Sequence, residues 1–131
     1  MEYLHEELTK RIITCFYEVY NQLGYGFLEK VYEHAMIIEL SRNGLAARNQ
    51  QPIKVHYREQ LVGDYYADII VNDTIILELK AAEGIVEEHE LQLINYLKAT
   101  NIEIGLLLNF GKKPEIRRKI FTNDRKGFAH E

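Results

Sequence analysis

The stretch Tyr65-Tyr66-Ala67-Asp68-Ile69-Ile70-Val71-Asn72-Asp73-Thr74-Ile75-Ile76-Leu77-Glu78-Leu79-Lys80 contains two apolar runs, each interrupted by charge and separated by turn residues. β-Branched and aromatic residues at this density read as strands, and Asn-Asp is turn chemistry. Leu61 to Val71 is therefore expected to form one long strand and Thr74 to Lys80 the next. The charges are the anomaly, because desolvating an unpaired charge costs several kcal/mol. Side chains alternate along a strand, so Glu78 and Lys80 share one face while Ile75, Leu77 and Leu79 take the other. Register decides what Asp68 does. A two-residue Asn72-Asp73 loop pairs Asp68 with Leu77 and aims Asp68 and Glu78 at opposite faces, whereas a three-residue Asn72-Asp73-Thr74 loop pairs Asp68 with Glu78. A shared site requires the odd-length loop or an equivalent bulge. Local turn preference alone does not choose it.

Outward from this hairpin the periodicity changes. Leu4, Leu8, Ile12, Phe16, Val19, Tyr20 and Leu23 recur at steps of three and four up to Gly24, the stripe of an amphipathic helix. After Gly24-Tyr25-Gly26, the run Leu28, Val31, Tyr32, Ala35, Met36 and Leu40 predicts a second helix, stopped by Asn43-Gly44. Pro52 to Tyr57 alternates as a half-exposed strand and Arg58-Glu59-Gln60 is a polar turn. Helical spacing returns between Glu87 and Thr100. Ile104-Gly105-Leu106-Leu107-Leu108 is an apolar strand suited to burial on both faces. The segment from Ile116 to Phe121 reads as either a short strand or a helical turn, and 122–131 as a frayed tail. The order α-α-β-β-β-α-β implies an α/β domain with helices flanking a mixed sheet, in which the Ile104 strand arrives by a crossover and pairs in parallel.

Composition sets bounds on this reading. With 131 residues, 47% hydrophobic and 27% charged, the chain fits one globular domain, 1–131. No apolar run suits a bilayer, and the acidic start Met1-Glu2-Tyr3-Leu4-His5-Glu6-Glu7 is unlike a secretory leader, so a cytoplasmic protein with no membrane partner is expected. The lone Cys15 lies in the helical stripe, where a buried thiol is the simplest reading. Net charge is −4, which argues against a general nucleic-acid coat protein. Between Lys112 and Lys126, however, seven cations face only Glu115 and Asp124. Lys112, Lys113, Arg117, Arg118 and Lys119 thus form a candidate phosphate-contacting strip, with solvated surface charge as the blander alternative. Ser41 is the only serine and lacks flanking glycines, and no phosphate-binding glycine loop is present.

Glu-x-Lys alone is uninformative: 20 acidic residues and nine lysines in this length give about 1.4 such triplets by chance. A structural ion pair is its simplest meaning. The apolar setting on adjacent strands adds weight, as does Glu29 at the start of the second helix. Three carboxylates meeting in a dry pocket repel one another, and the common remedies are protonation or a divalent cation. Mg²⁺ or Mn²⁺ suits oxygen-only ligands.

Gly26-Phe27-Leu28-Glu29-Lys30-Val31-Tyr32, Ala67-Asp68, Glu78-Leu79-Lys80 and His89-Glu90-Leu91-Gln92-Leu93-Ile94-Asn95-Tyr96-Leu97 together resemble the GxxExxY protein family, which is assigned to the PD-(D/E)XK nuclease superfamily. The resemblance covers about residues 5 to 121. It implies an αβββαβ core around a mixed sheet. It also implies that Asp68, Glu78 and the Leu79 carbonyl ligate a divalent metal, Mg²⁺ or Mn²⁺, with Glu29 joining directly or through water. Lys80 would orient or activate the attacking water and stabilise charge on the phosphate, and Gln92 would hold Lys80 or the phosphate. The superfamily's proline before the aspartate is Ala67 here. The implied activity is phosphodiester hydrolysis of DNA or RNA; a nuclease this small and acidic would need its basic strip, or a second subunit in a homodimer, to hold such a polyanion. The alternative is a non-catalytic module on the same fold that binds nucleic acid or protein.

Overall fold

The computed structural model describes residues 4–127, in which α1 (Glu6–Leu23) and α2 (Glu29–Arg42) precede β1 (Ala47–Tyr57), β2 (Gln60–Val71) and β3 (Ile75–Lys80). Then come α3 (Glu87–Lys98), β4 (Ile104–Phe110), β5 (Pro114–Ile120) and a 3₁₀ turn over Asn123–Arg125. The five strands lie in sequence order. β3 and β4 are parallel and every other pair is antiparallel, so the helical crossover produced the expected mixed sheet. The fold is α/β, with α1 and α2 on one face and α3 on the other.

Each face has its own core. Ile12, Phe16, Tyr32, Met36 and Leu40 pack against Ile69, Ile75, Leu77, Leu79, Leu106 and Leu108. On the opposite face Leu93, Tyr96 and Leu97 cover Ile76, Leu107, Ala67 and Ile53. β4 is buried along its whole length, as its unbroken apolar run predicts. The ambiguous segment after Pro114 is a fifth strand, with Ile116 packed on the α1/α2 side.

The tail also differs from expectation. Through Gly127 it docks rather than frays: Lys126 is buried, and its Nζ donates to the carbonyls of Thr100 (2.9 Å) and Ile102 (2.8 Å) just beyond α3. Those carbonyls would otherwise go unpaired near the helix end. Residues 128–131 lie outside the described residues.

α2 buries most of its apolar stripe but adds a carboxylate to it and leaves the N-terminal end out. Tyr32, Glu33, Met36 and Leu40 face inward, while Leu28 is 81% exposed and Val31 39%. A carboxylate is tolerated on the inner face because it is bonded there. Glu33 accepts from Gln50 Nε2 (2.7 Å), Asn49 Nδ2 (3.2 Å) and Lys30 Nζ (3.5 Å).

Candidate active site

The hairpin between β2 and β3 has the odd-length loop. Val71 pairs with Ile75, Ile70 with Ile76 and Ile69 with Leu77, leaving Asn72, Asp73 and Thr74 as the loop. A distant partner sets this register. Asn72 Oδ1 accepts from the Ala46 N–H (2.8 Å) and the Asn72 N–H donates to the Ala46 carbonyl (2.7 Å), while Thr74 Oγ1 closes on the Asn72 carbonyl (2.7 Å). Asn72 and Asp73 both have positive φ, which short polar side chains tolerate.

Continuing the register places Asp68 beside Glu78, where the two strands part. Side chains bridge the gap reciprocally: the Asp68 N–H donates to Glu78 Oε2 (2.9 Å) and the Leu79 N–H donates to Asp68 Oδ2 (2.8 Å). Beyond this point β2 pairs only with β1, and the two form an arm that runs past the end of β3 to the turn at Arg58-Glu59.

β1 makes room for the parting. Its ladder with β2 omits one pair, Gln50 with Asp68, and Gln50 has φ 51°. Ala47 packs on the α1/α2 side while Ile53 packs on the α3 side, although an unbroken strand would put both on one face. Ile69 and Ala67 on β2 are split in the same way. The defect therefore reverses both strands of the arm at the residue that carries the carboxylate. A left-handed non-glycine residue inside a strand costs free energy, and such strain concentrates at functional sites.

Burial and mutual repulsion dominate the electrostatics. Glu78 is 4% exposed; burial, followed by the Asp68 charge, pushes its carboxyl up to about 8. Burial raises Asp68 as well, opposed by its bond to the Leu79 N–H and reinforced by the charge of Glu33. The Lys80 ammonium pulls both carboxyls back down and Glu29 pushes both up, so all four groups share one electrostatic neighbourhood.

Glu29 does not complete a tight triad. Its Oε2 accepts from the Ala81 N–H (3.2 Å), which ties the start of α2 to the chain just after Lys80. Among the described residues no three His, Cys, Asp or Glu side chains gather closely enough to hold a metal by themselves. The expectation of three converging carboxylates is corrected to a close pair with a third at the rim. Lys80 makes no ion pair within 4 Å among the described residues, so the simple Glu78–Lys80 salt bridge is not formed.

Tyr32 serves the loop before Glu29. Fully buried and stacked on Phe110 (centroids 4.2 Å apart), it donates to the Gly24 carbonyl (2.8 Å) and accepts from the Phe27 N–H (3.2 Å). Gly24 and Gly26 have φ of 68° and 108°, which favour glycine.

On the α3 side Gln92 Nε2 donates to the Tyr96 hydroxyl (3.1 Å), and its amide oxygen accepts nothing from Lys80. Burial, followed by the charges of Glu78 and Asp68, pushes that hydroxyl up to about 12. Tyr96 thus borders the carboxylate pair and stays protonated.

The basic strip is dispersed by strand alternation. Lys119 pairs with Glu90 (2.5 Å) and Arg117 with Glu115 (3.5 Å), while Arg118 reaches the Leu4 carbonyl near α1. Lys112 and Lys113 lie in the exposed β4–β5 turn.

Glu33, Gln50 and Tyr96 were not legible as site residues. The only signal for Glu33 was its place one helical turn after Glu29. Nothing in one sequence marks Gln50 as left-handed.

The superfamily model for PD-(D/E)XK nucleases matches residues 6–119, spanning the helix pair, the hairpin, α3 and the end of the sheet. The chain belongs to the PD-(D/E)XK nuclease superfamily. No curated protein and no solved structure matches it. Nucleases of this superfamily generally use divalent metals. The donor set here fits a hard cation. Asp68 and Glu78 offer only oxygen, each spends one oxygen on a backbone N–H, and Asp68 Oδ1 and Glu78 Oε1 accept nothing from the described residues. Two carboxylates suffice for Mg²⁺, which keeps several waters and uses substrate phosphate as a ligand.

Proposed function

We propose that the protein is a divalent-metal-dependent nuclease that hydrolyses phosphodiester bonds in DNA or RNA. The single observation that carries the reading is the reciprocal exchange between Asp68 and Glu78, which presses the buried Glu78 carboxylate and the half-buried Asp68 carboxylate together in a strand gap. Such a pair is costly unless a proton or a cation compensates it. Asp68 and Glu78 would hold Mg²⁺ or Mn²⁺, with the Leu79 carbonyl and Glu29 as further ligands, Glu29 directly or through water. A divalent ion held there would supply Lewis acidity toward a phosphoryl oxygen and would lower the pKa of a water, easing loss of the proton that leaves a hydroxide nucleophile. Lys80 presents positive charge where the five-coordinate transition state gains negative charge. Tyr96 keeps its proton beside the pair and offers a neutral donor, which Gln92 orients.

One observation favours a second reading. The net charge of −4 suits a module that binds without cutting, because a polyanion must overcome the acidic body.

Thermal unfolding with and without metal separates the two. Mn²⁺ or Mg²⁺ is expected to raise the wild-type melting temperature, and Asp68→Asn and Glu78→Gln to abolish the rise. Lys80→Ala is expected to keep the metal shift and lose cleavage of nucleic acid. Wild type without metal shift or cleavage would leave the binding module as the surviving reading.

A further inference from the structure

A cleft of about 1300 Å³ lies between the β1–β2 arm and α3. Gln92 and Tyr96 line it, the Tyr96 hydroxyl feels the charges of Glu78 and Asp68, and the Tyr96 ring lies 5.8 Å from that of Tyr65 on the arm. Five lysines or arginines line the cleft against two glutamates, in a chain whose overall charge is −4. Arg58, Lys98 and Arg125 make no ion pair among the described residues. They lie over aromatic rings instead: Arg58 over Tyr57 at 5.5 Å, Lys98 and Arg125 over Phe121 at 5.4 and 4.3 Å. Such contacts leave the positive charge unneutralised. Tyr65, which also lines the cleft, is 48% exposed.

We infer that this cleft, and not the β4–β5 turn, carries the nucleic acid, and that it takes a single strand. The inference rests on the nuclease reading of the carboxylate pair and deepens it. Cations along both walls supply phosphate contacts, and an exposed ring between them offers a stacking face. An aromatic face is useful only to a base that is not already stacked on two neighbours, and bases inside a duplex present only their edges. A strand lying along the cleft passes Gln92 and Tyr96, and Tyr96 lies within electrostatic reach of Glu78 and Asp68.

Fluorescence anisotropy in EDTA tests the cleft without catalysis, using labelled oligothymidine and oligouridine and a duplex of the same length. The single strands are expected to bind more tightly than the duplex. Arg58→Ala combined with Lys98→Ala is expected to weaken binding at least about tenfold and to reduce the log–log salt slope by about 1.4, the value for two phosphate contacts on a single strand. Tyr65→Ala is expected to weaken binding about tenfold with the salt slope unchanged. Circular dichroism verifies folding, and Arg58 and Lys98 are both exposed. Preference for the duplex would overturn the inference. So would loss of binding from Lys112→Ala with Lys113→Ala but none from the cleft variants. Strand binding retained in a protein that never cuts with metal would uphold the cleft and reject the nuclease reading, whereas metal-dependent cutting that the cleft variants leave intact would reject the cleft alone.

Discussion

Replacing Glu78 with glutamine should make the metal-free protein more stable at neutral pH and above, although it removes a central acidic group. Glutamine keeps the oxygen that accepts the Asp68 N–H and discards only the charge. In the folded chain burial and Asp68 raise Glu78 from 4.5 to about 8. A raised carboxyl favours the folded state below its unfolded value, and this advantage is lost as pH climbs from about 4.5 through about 8. At about 1.4 kcal/mol per pH unit, the interval from pH 5 to 8 is worth at most about 3.5 kcal/mol, and water penetration brings the realised loss to about 1–3 kcal/mol. With a urea dependence of about 1–3 kcal/mol per M, the wild-type midpoint in EDTA should fall by roughly 1 M across that range. The Glu78→Gln midpoint should fall far less, and saturating Mn²⁺ should restore the wild type alone. Parallel pH profiles for the two proteins would refute the claim that Glu78 is buried against its own charge.

Glu33→Ala should destabilise the fold by about 2–3 kcal/mol in urea unfolding, because Asn49 and Gln50 lose their acceptor, with Glu33→Gln less severe. Tyr32→Phe should cost about 1–2 kcal/mol through the lost bonds to Gly24 and Phe27, and should speed amide hydrogen exchange at Phe27 before any effect reaches β4.

Much of this arrangement is legible in the residues themselves. Alternation along Ile75 to Lys80 places Glu78 and Lys80 together, and the apolar run from Ile104 calls for a buried parallel strand. Turn chemistry locates the Asn72-Asp73 corner but not its length, because the bonds that set the length come from Ala46, 26 residues earlier. β1 begins at Ala47 rather than near Pro52 because β2 supplies partners to the polar run Arg48-Asn49-Gln50-Gln51, which has no strand propensity of its own. β5 is held by pairing with β4 in the same way. The reversal at Gln50 and the inward turn of Glu33 are tertiary facts, each stabilised by a hydrogen bond between segments that local periodicity cannot connect.

The three-residue corner at Asn72 to Thr74 makes this hairpin sensitive to counting more than to composition. Deleting Thr74 would leave a chemically respectable tight turn yet rotate the following strand by half a period, sending a carboxylate and an ammonium into the oily layer beneath the helix pair and lifting Leu77 and Leu79 out of it. Substitutions at the corner should therefore be forgiven, while the loss or gain of a single codon there should abolish the protein.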